Sequence, residues 1–147
     1  MKVFKIRETA KLPKREHETD AGMDLFFCPE DNTSITLPSM ATALFPTGLK
    51  IQVPANCMLH VLNKSGIAFK RSLVVGACVV DEGYTGEIFV NLHNIGKESQ
   101  TIHPGQKVAQ AVFVRIEKPA LLETFKDEIY DNATDRGTGS LGSTGAE

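Results

Sequence analysis

The sequence predicts an all-β fold, a sandwich or barrel with one short helical turn. Short β-branched and aromatic runs recur from end to end, separated by Pro, Gly, Asn and Asp about every eight to twelve residues. Helical periodicity is almost absent. Pro38, Pro46, Pro54 and Pro104 fall between the runs, where they stop hydrogen-bonded ladders rather than interrupt them.

Taken in order, the first strand is expected over 3–7, where Val3, Phe4 and Ile6 stand among charges. The next, 24–27, follows the turn residue Gly22. Strands 34–37, 41–45 and 49–53 are closed in succession by Pro38, Pro46 and Pro54. Residues 58–62 form an apolar run around His60. Ser65 is the expected N-cap of a helical turn over 65–71, above Ile67-Ala68-Phe69. Strands 77–80 and 87–92 flank the turn signal Asp81-Glu82-Gly83-Tyr84-Thr85-Gly86 and make a hairpin. Residues 100–102, the long run 107–116 after Gly105, and 121–125 complete the set. No internal repeat or linker breaks it.

At 147 residues, with 41% hydrophobic and 23% charged residues, the chain can bury a core without disulfides or metals. A net charge of -2 gives no footprint for non-specific nucleic-acid binding. Cys28, Cys57 and Cys78 are odd in number and far apart, so neither a disulfide framework nor a zinc site is indicated. His17, His60, His93 and His103 show no ligand spacing, and no protein-liganded metal is assigned. Lys2, Lys5, Arg7 and Glu8 leave no room for an apolar leader, and no run is long enough to span a membrane. The expectation is a soluble chain in a reducing cytoplasm, with no nucleic-acid or membrane partner. Composition shifts near Asp127, so a β domain over 1–130 is expected to carry a flexible Gly-rich arm over 131–147.

That arm contains Arg136-Gly137-Thr138-Gly139-Ser140-Leu141-Gly142-Ser143-Thr144-Gly145. Its G-x-G-x-x-G spelling lacks the βαβ context of a dinucleotide site, and Ser143 stands where a P-loop needs Lys. Two readings remain: a disordered tail, or a strip that wraps an anion with backbone N–H, hydroxyls and a guanidinium. The other candidates are equally two-sided. Asp81 at a strand end is a turn former or a catalytic base. Tyr84 is a half-buried hairpin aromatic or a ligand contact. Lys64-Ser65-Gly66 is a helix cap or a phosphate site. Ala21-Gly22-Met23-Asp24-Leu25 alone says only turn.

In order, Ala21-Gly22-Met23-Asp24-Leu25, Lys64-Ser65-Gly66-Ile67-Ala68, Val80-Asp81-Glu82-Gly83-Tyr84-Thr85-Gly86-Glu87-Ile88, Gly105-Gln106-Lys107-Val108-Ala109-Gln110 and the 136–145 run resemble the five motifs of the trimeric deoxyuridine triphosphatase (dUTPase) family. The resemblance implies a distorted β jelly roll and a homotrimer whose active sites are shared between subunits. It implies hydrolysis of dUTP to dUMP and pyrophosphate, assisted by Mg²⁺ held through substrate phosphates and water. Asp81 would be the base that activates the attacking water. Tyr84 would pack under the deoxyribose and exclude a 2′-hydroxyl. The hairpin from Gly76 through Val79 and Val80 to Tyr84 would read the uracil edge with its backbone.

By the same resemblance Ser65, Gly66 and Gln110 contact phosphates, with Lys64 beside them. Arg136 is the γ-phosphate fork, Gly142, Ser143 and Thr144 add donors, and Leu141 caps the uracil. Asp24 supports the site from behind. Several positions depart from the pattern. Lys64 replaces the usual Arg, turning a fork into a point charge. Leu141 replaces a stacking aromatic, and Cys78 and Ser140 replace glycines. Two rivals remain on the same fold. A nucleotide-binding regulator would need no chemistry, and a deoxycytidine triphosphate deaminase would need a catalytic Glu where this chain has Asn91.

Overall fold

A strand is as secure as the partners its backbone finds, and the runs read from the sequence find theirs in four sheets. The computed structural model describes residues 1–125, 129–130 and 137–138. It divides into a unit Met1–Glu117 and a unit Lys118–Glu147. In the first, the largest sheet runs β2 (Met23–Phe26), β11 (Lys107–Arg115), β6 (Cys57–Leu62) and β8 (Val79–Val80), antiparallel throughout. A three-stranded sheet runs β4 (Thr42–Pro46), β9 (Phe89–Asn94) and β7 (Leu73–Val75). Two ribbons pair β1 (Val3–Lys5) with β5 (Leu49–Ile51), and β3 (Ile35–Leu37) with β10 (Gln100–Ile102). None of these strands pairs with its neighbour in sequence. The fold is therefore all-β with one short helix, α1 (Ser65–Arg71), and its crossovers are those of a jelly-roll-like sandwich.

Alternation in the strands builds the core. Leu59 and Val61 of β6 face in while Met58, His60 and Leu62 are half-buried; Val90 and Leu92 of β9 face in while Asn91 and His93 do not. Phe27 and Phe45 meet edge to face, with ring centroids 5.2 Å apart. Each fully buried Leu, Val or Phe contributes about 1.5–3 kcal/mol of transfer free energy. In β11 the period is broken by a bulge. Lys107 pairs with Phe26 and Ala109 with Leu25, so β11 advances two residues where β2 advances one. Both Val108 and Ala109 are buried as a result, and Gln110 rather than Ala109 stands opposite Asp24.

The differences from expectation are local. β7 was not anticipated, because it follows α1 after the single left-handed residue Ser72 and has only three residues. The expected strand at 121–125 does not form: its residues pair with no described strand, and Leu121, Leu122 and Phe125 stand exposed. Ser65 is not the N-cap. Lys64 holds that position without a side-chain cap, its carbonyl accepting from Ile67 and Ala68, and Ser65 is the first helical residue.

One buried amide locks a corner between the two ribbon ends. Asn94 is 1% exposed; its Nδ2 donates to the carbonyls of Leu37, Pro38 and Glu98 at 2.8–3.1 Å, and its Oδ1 accepts from Gly96 N–H at 3.0 Å. Removing it strands several buried backbone groups. Asn94→Ala is expected to lower the unfolding free energy by about 2–3 kcal/mol, read by urea denaturation. A loss under about 0.5 kcal/mol would mean that water replaces the amide at no cost.

Candidate active site

Two groups of polar side chains stand on the large sheet, and each is placed by register. In the first, Asp24 of β2, Gln110 of β11 and Leu62 of β6 lie in one row across three strands. Lys64 follows Leu62 by two residues, so its side chain returns to the same face. Its ammonium donates to Asp24 Oδ1 at 2.6 Å, and Lys107 Nζ lies 2.7 Å from Asp24 Oδ2. Gln110 Nε2 donates to the Asn63 carbonyl at 2.9 Å. A Cβ at Gly22 would overlap Gln110 Oε1, which is why the motif needs glycine there.

Asp24 is 4% exposed. Burial alone would favour its neutral form, but hydrogen bonds from Lys107 and Lys64, together with their charges, outweigh it and hold the carboxyl below the ordinary carboxylate range. The same contact, with a second from Glu16, raises Lys107. Lys14, Lys64 and Lys107 stand against Asp24 and Glu16, which leaves one positive charge in excess beside the entrance to α1.

The second group is the turn between β8 and β9. The ladder expected between 77–80 and 87–92 does not form, because β8 pairs with β6 and β9 with β4 and β7; the segment is a hairpin in course only, its two arms committed to different sheets. A pocket of about 200 Å³ is lined by Val79, Val80, Asp81 and Tyr84 from the hairpin, Leu44 from β4, and Phe89 and Asn91 from β9. Tyr84 N–H donates to the Asp81 carbonyl at 3.1 Å and closes the turn, and the Tyr84 hydroxyl donates to the Glu87 carbonyl at 2.9 Å. A Cβ at Gly86 would overlap that ring, so Gly86 lets it lie flat across the turn. Glu82 accepts from Asn56 N–H at 2.9 Å and Glu87 from Gly48 N–H at 2.7 Å. Glu87 also pairs with Arg7. The Asp81 side chain does none of this work: its carboxylate is exposed at the pocket, with no hydrogen-bond or ion-pair partner among the described residues.

A family model described as dUTPase matches residues 8–145. The chain belongs to the dUTPase family. The deoxyuridine 5'-triphosphate nucleotidohydrolase of Alkaliphilus metalliredigens is 40% identical over 149 residues, covering 100% of this chain and 98% of the relative. A mutant dUTPase of Staphylococcus bacteriophage 80alpha with dUpNHpp shares the fold, with TM-score 0.82 at 24% identity over 98% of this chain and 97% of that chain. A mutant dUTPase from phage phi11 of S. aureus, whose structure details the coordination of a structural Mg(II) ion, is 25% identical with TM-score 0.75 over 86% of this chain and 97% of that chain.

In dUTPase terms, the first, second and fourth motifs converge on Asp24, Lys64 and Gln110, with Ser65 and Gly66 exposed at the start of α1. The third makes the pocket. The two groups do not merge within one chain. Val80 is opposite Leu59 and Gln110 opposite Leu62, so three residue steps along β6, about 10 Å of strand, and the width of β6 itself lie between them. Arg136, Leu141, Gly142, Ser143 and Thr144, from the fifth motif, lie outside the described residues. Lys107, Leu44, Phe89 and Asn91 were not singled out as contacts from sequence. Lys107 sits inside a quoted motif, whereas the other three reach the pocket from strands that only the register brings together.

The ion pairs of Asp24 carry a pH signature. A carboxyl with a depressed folded pKa contributes stability above its unfolded value, about 3.9, and loses it as pH falls through the folded value. Asp24→Asn is therefore expected to cost about 1.5–3 kcal/mol at pH 7, and the gap to the parent protein should narrow below about pH 4. Denaturation curves at pH 7 and pH 3 measure it, and a gap independent of pH would remove the ion pairs as its cause.

Proposed function

We propose that this chain hydrolyses dUTP to dUMP and pyrophosphate, with Asp81 as general base. The observation that carries the reading is the unengaged Asp81 carboxylate in the hairpin pocket, beside neighbours whose carboxylates are committed to structure. A water attacks the α-phosphorus while Asp81 takes its proton; the bond from that phosphorus to the α–β bridging oxygen breaks, and pyrophosphate leaves. The pocket receives the uracil, read by the backbone of Gly76, Val79 and Val80. The Tyr84 ring, fixed through its hydroxyl and 46% exposed, offers a wall to the deoxyribose with no room for a 2′-hydroxyl. Asn91 counts against a deaminase, because an amide bound to Ala77 N–H and Thr42 cannot shuttle protons.

Lys64, Ser65, Gly66 and Gln110 hold the phosphates, with Asp24 keeping Lys64 in place. The arm over 131–147 adds Arg136 to the γ-phosphate and Gly142, Ser143 and Thr144 as donors, with Leu141 over the base. Among the described residues no three His, Cys, Asp or Glu side chains cluster as a metal cage. Mg²⁺ would enter with the substrate, held through its phosphates and water. When bound it neutralises phosphate charge and polarises the α-phosphorus. Cys28, Cys57 and Cys78 are free thiols, which supports a reducing, cytoplasmic setting, and no described helix is long and apolar enough to cross a membrane.

The separation of the two groups supports a homotrimer with shared sites, in which the pocket of one subunit meets the Asp24–Lys64–Gln110 row of another. Asp81→Asn is expected to keep fold and dUTP binding while lowering kcat by about 10²–10⁴, seen as lost pyrophosphate release. Most of the activity surviving would remove Asp81 from the chemistry. For sharing, the inactive Asp81→Asn chain and a Lys64→Ala/Gln110→Ala chain are refolded together. Activity should return in the mixture. None returning, with mixed oligomers verified by mass, would place each site within one chain.

A further inference from the structure

Asn91 lies in the pocket wall, on β9, and every polar atom of its carboxamide is used. Oδ1 accepts from Ala77 N–H at 3.1 Å. Nδ2 donates to Thr42 Oγ1 at 3.0 Å and approaches the Ala43 carbonyl at 3.4 Å. The orientation is dictated. Thr42 spends its own hydroxyl proton on the Leu92 carbonyl at 3.1 Å, so its oxygen can only accept; Nδ2 must face it, and Oδ1 must face Ala77. The backbone adds a second hold, since Gly76 N–H donates to the Asn91 carbonyl at 2.9 Å. A Cβ at Gly76 would overlap Asn91 Oδ1 and His93 Nε2, so glycine there makes space for the clamp. Two consecutive amides of the arm entering the hairpin are thus gripped by one residue.

We propose that Asn91 is a positioning residue for pyrimidine discrimination: it fixes the peptide planes at Gly76 and Ala77, where the arm enters, while β6 holds Cys78 to Val80, and so it helps set the hydrogen-bond pattern offered to the base. The proposal rests on the dUTP reading above. Uracil presents an acceptor at position 4 and a donor at N3; cytosine presents the reverse. A rigid peptide edge matches one and leaves unpaired groups against the other, whereas an edge free to rotate accommodates both. Only a carboxamide serves this position in full. A carboxylate keeps the acceptor for Ala77 but loses the donor to Thr42, and an aliphatic side chain of similar volume loses both.

Three variants, Asn91→Leu, Asn91→Asp and Thr42→Val, test it with two readouts. One is hydrogen exchange at the Ala77 amide. The other is the ratio of dissociation constants for the imido analogues of dUTP and dCTP. In Asn91→Leu, Ala77 exchange should quicken by about tenfold or more and the analogue ratio should fall by about tenfold or more, with KM for dUTP rising more than kcat falls. Asn91→Asp should keep Ala77 protected. Thr42→Val, which frees the amide to turn over at an exposed strand position, should fall between parent and Asn91→Leu, and it decides the matter if Asn91→Leu does not fold. An unchanged analogue ratio in a folded variant with quickened Ala77 exchange would overturn the proposal, as would unchanged Ala77 exchange. A parent protein that leaves dUTP intact overturns the reading of function itself, a failure distinguishable before any variant is compared.

Discussion

The buried carboxylate of Asp24, held between the ammonium groups of Lys64 and Lys107, is the constraint on which the large sheet and its chemistry depend. A charge 4% exposed is tolerable only when paired, and here the two oxygens are paired from different parts of the fold. Lys107 reaches it from β11, and Lys64 from the junction of β6 with α1. The Asp24 backbone is also committed, its N–H donating to the Lys14 carbonyl at 2.8 Å. The carboxylate therefore fixes how β2, β11 and the end of β6 sit together, and with them the position of Gln110. The bulge at Val108 and the absence of a side chain at Gly22 are what that arrangement requires of the backbone.

The hairpin solves the opposite problem. Its groups must stay available to a ligand, yet its backbone must not wander. The turn is closed by backbone bonding between Tyr84 and Asp81, Glu82 and Glu87 tie its two sides to Asn56 and Gly48, and Asn91 grips the entering arm. Order is thus supplied by residues that do not need to touch the substrate, and the residue assigned to the chemistry is left unengaged. Asn63 joins the two regions: its carbonyl accepts from Gln110, and its side-chain oxygen accepts from Val75 N–H at 2.6 Å, at the start of the hairpin arm.

The sequence was most legible where a single residue type dictates local backbone. Gly22, Pro38, Gly48 and Gly76 stand directly beside strand ends, Pro46 lies within β4 as its last residue rather than after it, and the run 65–71 became α1 with the same limits. It was least legible where structure depends on a partner. The run 121–125 has strand composition, but composition does not supply a ladder, and β7 was hidden because its three residues gain strand character only by pairing with β9. In the site, Asp81 and Tyr84 were visible through their hairpin and their family motif. Asn91 was weighed only as the absence of a glutamate, since its work depends on Thr42 and Ala77, far away in the chain. The bulge that sets Gln110 opposite Asp24 has no signature in composition, because Val-Ala-Gln-Ala reads equally well in either register.

Asp24 and Asp81 place the same side chain in opposite surroundings. Two ammonium groups around Asp24 hold its carboxyl below the ordinary range and make it a poor proton acceptor; they also occupy both of its oxygens. A base in that position would have to break two ion pairs before it could bind water. Asp81 stands at a strand end, beyond the last ladder pair of β8, exposed and with no ion-pair partner among the described residues. A water bound there competes with no donor among the described residues. The two environments differ by topology: Asp24 sits on the edge strand β2, where Lys107 of the adjacent β11 and Lys64 from the end of β6 both reach it, and Asp81 sits just past the end of β8.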